Sequence, residues 1–441
     1  MWEGDYMSSA LRKPTSTQII ASIGCIIVMG MNVSYQVVMT SFPYIMEAMQ
    51  ISKVEASMMS TVVSVGVVVM ALIGTRLIDK LTPRWSMLVG TLLVTAFLAV
   101  NAIGLPYIAW VACGLLAGFG SALGSLGAAS GLMRQYWGMD SGSKFTVIAG
   151  IQTLIVSGYT ALMAWLWTFM DFQGAFWVIA ALTLVLGGGA NLICFRKPDA
   201  FIAEELAEAV KAQAIKDAEK PQEAASGWSF GESFKHSPIY LFTLAFVAAA
   251  VINGGITTFL TTFLTEAGMD KPMAALFQSY FTIICGVHML YSGYFHKFFG
   301  NKIYFTFFFG LSGIGFICLS QWLGMAPAGI TFVVFALALV GAMKPIMTTA
   351  AVVVTQLFGN KDYVAYNSYS QAILNVGRLI SSFTTASILQ FLGAALMCYF
   401  FAGLAILSAV GFCIADAVSP WARIANEKRK ATKAAKAAGK E

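Results

Sequence analysis

The sequence predicts an all-α integral membrane protein, with twelve transmembrane helices arranged as two pseudo-symmetric six-helix halves. Three observations lead there. The chain is 58% hydrophobic and only 11% charged, with a mean hydropathy of +0.75, which excludes a soluble domain of its 441 residues. Twelve apolar stretches can be marked along it, and at ~1.5 Å per helical residue a run of roughly 20 crosses a hydrocarbon core. Polar residues also recur in one order in both halves at a nearly constant displacement, as parallel repeats require.

The stretches cover residues 17–42, 55–77, 85–104, 107–133, 144–169, 173–195, 238–264, 272–295, 302–323, 328–357, 363–391 and 394–418, numbered below as spans one to twelve. The first follows a short tail, 1–16, that carries Arg12 and Lys13. It is too long for a signal-peptide core and is read as a retained span. With both termini cytoplasmic, every Lys and Arg falls on the inner side except Lys53 and Lys271 outside and Lys344 and Arg378 within the membrane. That asymmetry is the positive-inside pattern. The net charge of +6 is therefore an orientation signal spread over one face and points to no nucleic-acid partner. All 21 acidic residues lie in loops, tails or span ends, so no carboxylate sits at mid-depth. The seven cysteines lack ligand spacing and read as small core residues, with no disulfide, metal or other cofactor implied.

Span one holds Asn32, Tyr35 and Gln36 near its centre and closes at Pro43. Asn32 and Gln36 are four apart and share a helical face. Span two carries Ser57, Ser60, Thr61 and Ser64 as a small polar strip, which suits close packing more than a wet cavity. The following loop reads Gly74-Thr75-Arg76-Leu77-Ile78-Asp79-Lys80-Leu81-Thr82-Pro83-Arg84. It resembles the loop motif of the major facilitator superfamily, with Asp79, Lys80 and Arg84 matching in type and order, the first glycine displaced by one position, and Thr82-Pro83 replacing the expected Gly-Arg. The resemblance implies a gating role for Asp79, Lys80 and Arg84, the aspartate locking an outward-facing state against a neighbouring helix end. Span four is a glycine ladder, Gly114, Gly118, Gly120, Gly124, Gly127 and Gly131, which lets helix backbones approach closely. Span five places Gln152 and Tyr159 on one face. Span five lacks a proline-containing antiporter motif and span four a central arginine, both against a proton-coupled drug exporter.

Residues 196–237 form the one long polar segment inside the chain, a cytoplasmic linker in which 201–221 has the spacing of an amphipathic helix. The halves it separates are 17–195 and 238–418, and a basic cytoplasmic tail, 419–441, follows. The repeat aligns Asn32 and Phe42 with Asn253 and Phe263, displaced by 221, and Glu47-Ala48 with Lys53 resembles Glu266-Ala267 with Lys271. Asp79-Lys80 is echoed by His296-Lys297, displaced by 217, while Gln152, Gly158 and Tyr159 align with Gln371, Gly377 and Arg378, displaced by 219. Two six-helix halves in this relation are the architecture of the major facilitator superfamily, and the resemblance covers residues 17–418.

The candidate site follows from the repeat and from two cations. Span ten is interrupted by Gly341-Ala342-Met343-Lys344-Pro345, and span eleven carries Arg378 at its midpoint. A mid-depth cation costs about 2.5–3.5 kcal/mol on insertion scales and is functional by default. Lys344 could alternatively snorkel or bond carbonyls freed beside Pro345, and Arg378 could brace a helix interface. Arg378 lies on a polar stripe with Asn367, Gln371, Asn375, Ser382 and Thr385. The candidate substrate-binding set is Arg378, Lys344, Asn32, Tyr35, Gln36, Tyr159, Gln152, Asn253, Gln371 and Asn375. His288, the one intramembrane histidine, is the candidate for a coupling proton.

The expected function is secondary transport of a small organic anion, a carboxylate, by alternating access, through proton symport or anion exchange. The cations and the resemblance point loosely to the monocarboxylate and oxalate-formate branch. That branch carries a cation in span eight, where this chain offers Cys285 and His288. An exporter of amphipathic compounds would use the same fold, with the abundant Phe and Met as its lining. A non-transporting sensor or an enzyme would need a catalytic cluster or soluble domain that the sequence lacks. The expected partners are membrane lipid, the anion, and a proton or counter-anion, with the protein a monomer. Compact loops point to a prokaryotic inner membrane.

Overall fold

The computed structural model describes residues 14–124, 126–137, 141–195, 227–326, 328–359 and 361–437. The amphipathic helix expected at 201–221 lies outside them. Among the described residues nine helices are long and apolar enough to cross a membrane. Three shorter apolar helices, Ser16–Asn32, Gly150–Leu166 and Ile330–Met343, stand where the sequence places spans one, five and ten. The β pairing among these residues is one isolated bridge, Gly227 to Gly359.

Local chemistry sets the helix ends. Thr15 with Gln18 and Ser52 with Glu55 form reciprocal capping boxes that start the helices Ser16–Asn32 and Lys53–Ile103. Each box satisfies amide donors that the first helical turn leaves free. Spans two and three run on as Lys53–Ile103, broken at Thr82 (φ 66°, ψ 151°). Spans eight and nine run on as Lys271–Trp322, broken at Gly300 (φ 75°, ψ 178°). The two breaks are displaced by 218, so the repeat extends to backbone conformation. Gly300 adopts its conformation freely, whereas Thr82, β-branched and at positive φ, is strained. Thr82→Gly is therefore expected to raise the melting temperature, relieving about 1–3 kcal/mol of strain less the roughly 1 kcal/mol entropic cost of glycine. A lower melting temperature would show that Thr82 is held by contacts that outweigh its backbone.

The glycine ladder does what its spacing predicts, on two faces. A Cβ on Gly114 would lie 2.9 Å from the Met59 carbonyl, and one on Gly118 would collide with the Val63 carbonyl and lie 2.8 Å from Gly66 Cα. Those contacts seat span four on span two. On span three, a Cβ on Gly90 would lie 2.6 Å from the Gly120 carbonyl. Close backbone approach of this kind replaces the hydrophobic drive that helices lose in lipid.

Three spans depart from continuous α-helix. Span one, expected as one run over 17–42, stops at Asn32 and resumes as Gln36–Thr40 and Phe42–Met49. Its break is stitched by short-range bonds from the Val33 amide to Gly30, Ser34 to Met31 and Gln36 to Val33. Ser34 Oγ also donates to the Met31 carbonyl at 2.6 Å. A short polar side chain offering the backbone such an alternative disfavours the helix. Span six contains a π-helical turn, Thr183–Gly188, whose Thr183 Oγ1 lies 3.2 Å from Ser34 Oγ. Span ten tightens to a 3₁₀ turn at Gly341–Met343. The expected tail is itself helical over Pro420–Ala437.

Candidate substrate site

The breaks in spans one and ten flank a mid-depth cavity of about 70 Å³ lined by spans one, two, seven, ten and eleven. Tyr35, Gln36 and Met39 enter from just beyond the span-one break, and Ser60, Val63, Ser64 and Val67 from span two. Span seven supplies Asn253, Gly254, Thr257 and Thr258; Lys344 comes from span ten, and Asn375, Arg378 and Ser382 from span eleven. Room for one water needs about 10–15 Å³ on this measure, so the space takes a ligand of roughly five to seven heavy atoms.

Pro345 leaves the Gly341 carbonyl without its helical donor, and the Lys344 amide takes it at 3.1 Å. The ammonium is thereby free for the cavity, where it donates to Asn253 Oδ1 at 3.2 Å. Asn253 Nδ2, buried, and Thr257 Oγ1 have no partner among the described residues. Buried polar atoms without partners cost stability, and a ligand can satisfy them. Arg378 is placed by close packing of span eleven on span seven: a Cβ on Gly254 would lie 3.3 Å from Arg378 Cα, and one on Gly377 would collide with Ala250. Its half-buried side chain makes no hydrogen bond or ion pair to another described residue. Two cations thus share one small cavity, and among the described residues none of its lining is acidic.

Of the expected site residues, the structure brings together Tyr35, Gln36, Asn253, Asn375, Lys344 and Arg378. Five others stand elsewhere. Asn32 is fully buried against span four, donating to the Gly124 carbonyl at 2.9 Å and the Met87 carbonyl at 3.4 Å. The repeat accounts for the difference. Gly124 and Lys344 are displaced by 220, so Asn32 on Gly124 and Asn253 on Lys344 are the same contact, carried out in one case by a backbone carbonyl and in the other by a cation. Tyr159 is buried with its hydroxyl on Met31 sulfur at 2.7 Å, and Gln152 and Gln371 are half-buried outside the lining. His288 is not among the lining residues; it is bonded to the Tyr291 hydroxyl and, at 2.9 Å, to the Ala338 carbonyl. Ser60, Ser64, Thr257, Thr258 and Ser382 line the site without having been expected there as ligands. The span-two serine strip, read as packing, was the available signal.

The loop residues are divided too. Lys80 is exposed, and the Asp79 side chain lies outside the described set. Arg84 ties the loop to span six, donating to the Leu192 carbonyl at 3.3 Å, while the Asn191 side chain donates to the Arg84 carbonyl at 3.1 Å.

At the end of the bundle opposite the start of Ser16–Asn32, Lys53 and Lys271, which the positive-inside pattern leaves outside, find partners. Lys53 pairs with Glu266, and Lys271 with Glu47. These are reciprocal pairs between repeat-equivalent residues, each joining helices before the linker to helices after it. Lys53 also donates to the Leu389 carbonyl at 3.4 Å, the Val54 amide to Gln390 Oε1 at 3.1 Å, and Lys271 lies 4.7 Å from the centre of the Tyr44 ring. The hydrogen bond and charge of Lys271 hold the Glu47 carboxyl below the usual carboxylate range.

Several solved structures share this architecture. A D-xylose-proton symporter superposes with a TM-score of 0.69 at 12% identity, over 95% of this chain and 99% of its own. A variant of the peptide transporter POT gives 0.67 at 14% identity over 93% and 100%. A bacterial homolog of the human lysosomal transporter Spinster, in an inward-facing and unoccupied conformation, gives 0.63 at 12% over 94% and 98%. At such identities the likeness shows the fold alone. No curated relative matches the chain. The family model of the Major Facilitator Superfamily matches residues 23–319, and with it the repeat, the span breaks and the central cavity find one explanation: the chain belongs to the Major Facilitator Superfamily of membrane transporters.

Proposed function

We propose that the protein is a secondary transporter of a small organic anion, a carboxylate, moved by alternating access through proton symport or anion exchange. One observation carries this reading: Lys344 and Arg378 meet in a mid-depth cavity whose described lining holds no acid. A cavity of this kind sets two like charges in a poorly solvated place, and a carboxylate relieves the repulsion while accepting charge-assisted hydrogen bonds. Arg378 presents a planar fork suited to a carboxylate, and Lys344 a compact point charge already oriented by Asn253. Purified protein in liposomes should accumulate or exchange radiolabelled small carboxylates, and should leave cations and neutral sugars behind. Uptake of cations in place of carboxylates would overturn the reading.

The reciprocal ion pairs give the gate. By the positive-inside pattern they lie on the outer face, so the conformation described is closed to the outside. Reversing Lys53 and Lys271 to Glu would leave four carboxylates facing one another, and adding Glu47→Lys with Glu266→Lys would restore both pairs. We expect an impermeant thiol reagent applied outside to label a Ser64→Cys reporter several-fold faster in the double variant, and at the wild-type rate in the quadruple one. Equal labelling in all three would remove the pairs from the gate. The pH dependence has a definite sign. Because Glu47 titrates below its ordinary value of 4.5, its contribution to closure is complete above that value and is lost only as pH falls through the lowered one. Any pH dependence of transport near neutrality must then arise elsewhere.

A further inference from the structure

The dedicated hydrogen-bond donors of the cavity all come from the helices after the linker, which also carry its charge, and span two adds acceptors alone. Spans seven, ten and eleven supply every dedicated donor, the Lys344 ammonium, the Arg378 guanidinium and the unpartnered Asn253 Nδ2, beside Thr257 and Asn375, which can donate or accept, and Thr258 and Ser382, whose protons go to Met39 sulfur and the Arg378 carbonyl. Span two, which packs beside span eleven, presents to the same cavity Ser60 and Ser64, whose protons are already committed. Ser60 Oγ donates to the Ser57 carbonyl at 2.9 Å, and Ser64 Oγ to the Ser60 carbonyl at 3.0 Å. A hydroxyl has one proton and two lone pairs, so what these serines have left for the cavity is acceptor capacity. Gln36 and Tyr35 can donate or accept and do not decide the matter.

We infer that the anion is a hydroxylated carboxylate of two or three carbons, its carboxylate held by Lys344 and Arg378 and its hydroxyl proton donated to Ser60 and Ser64 Oγ. This rests on the anion reading above and adds a second requirement to it. A plain alkyl carboxylate leaves the serine lone pairs without a donor. A dicarboxylate is worse, because its second carboxylate sets negative oxygens against acceptors. The size agrees, since a two-carbon hydroxy acid has five heavy atoms and the cavity takes roughly five to seven. Asn253 Nδ2 then finds an acceptor in the carboxylate or in the hydroxyl oxygen.

Thermal stabilisation and competition for uptake should be measured with glycolate, acetate and malonate on the wild type and on Ser64→Ala and Ser60→Ala/Ser64→Ala. Glycolate is expected to bind at least about tenfold tighter than acetate, because a site built to pair a substrate hydroxyl strongly rejects the analogue lacking it. Malonate should rank below glycolate. Each serine substitution should narrow the glycolate preference while leaving acetate affinity within about twofold, and the wild-type ranking decides the matter even if the double variant does not fold. Equal affinity for glycolate and acetate, or a preference for malonate, overturns the hydroxyl requirement and leaves the anion reading standing. Failure of all three acids, with cations or neutral compounds binding instead, brings down both.

Discussion

Arg378→Gln should lose carboxylate transport by about 10- to 100-fold, the factor that corresponds to removing a charge-assisted interaction of about 1.5–3 kcal/mol. Lys344→Gln should fall in the same range, and Arg378→Lys should recover only part of the loss, because the bidentate fork is gone. A second readout separates substrate binding from a bracing role. The Arg378 side chain makes no hydrogen bond or ion pair to another described residue and shares its cavity with another cation. Removing either charge therefore relieves repulsion, and the ligand-free protein should melt at the same temperature or higher. A bracing arginine would give the opposite result, a lower melting temperature with transport lost in proportion to folded protein. Sites that hold unbalanced charge for a ligand commonly trade stability for function in this way.

Gly118→Leu should leave little or no folded protein. At this position span four lies directly on span two, and a Cβ alone would collide with the Val63 carbonyl and approach Gly66 Cα to 2.8 Å and the Val67 amide to 3.0 Å. These are backbone atoms, so no rotamer change can make room. The helices must separate, and overpacking of this kind costs about 1–3 kcal/mol even where side chains can yield. Gly118→Ala should be milder in the same direction. Gly158, by contrast, has nothing within 4 Å of its ideal Cβ, so Gly158→Ala should be tolerated. The check is a monodisperse peak in detergent for Gly158→Ala and its loss for Gly118→Leu. A stable Gly118→Leu protein would mean that spans two and four do not meet in the way described.

Much of the fold was legible because its signals are coarse and additive. Apolar length marks the spans, and their glycine ladder marks the tight interface. The repeat, visible as Asn32 with Asn253 and Glu47 and Lys53 with Glu266 and Lys271, reappears as a shared backbone break at Thr82 and Gly300 and as reciprocal ion pairs. The breaks in spans one and six were not legible. They meet where Ser34 touches Thr183 across 149 residues of chain, a tertiary contact that no local pattern announces.

The site divides along the same line. Lys344 and Arg378 stand out in any sequence, because a cation within an apolar run costs too much to be incidental. The neutral members do not. Helical rotation decides whether a polar side chain faces a cavity or a neighbour, and the repeat alignment equated Asn32 with Asn253 although one meets a glycine carbonyl and the other a lysine. Span-eleven periodicity likewise put Gln371 on the stripe of Asn375 and Arg378, one turn beyond the lining that the structure shows. Ser60 and Ser64 were visible as a strip, but only the bonds their protons make reveal what they offer a ligand.

The central claim is that the two cations form an anion site, and the most direct measurement of it is the melting temperature of the purified protein against a panel of small carboxylates, cations and neutral solutes, with Arg378→Gln and Lys344→Gln alongside. At 100 times its dissociation constant a ligand adds about 2.7 kcal/mol to the native state, enough to be read as a shift in melting temperature. The account predicts that carboxylates alone stabilise the wild type and that each substitution abolishes the shift. Stabilisation by cations or neutral solutes, or a carboxylate shift that survives both substitutions, would contradict it.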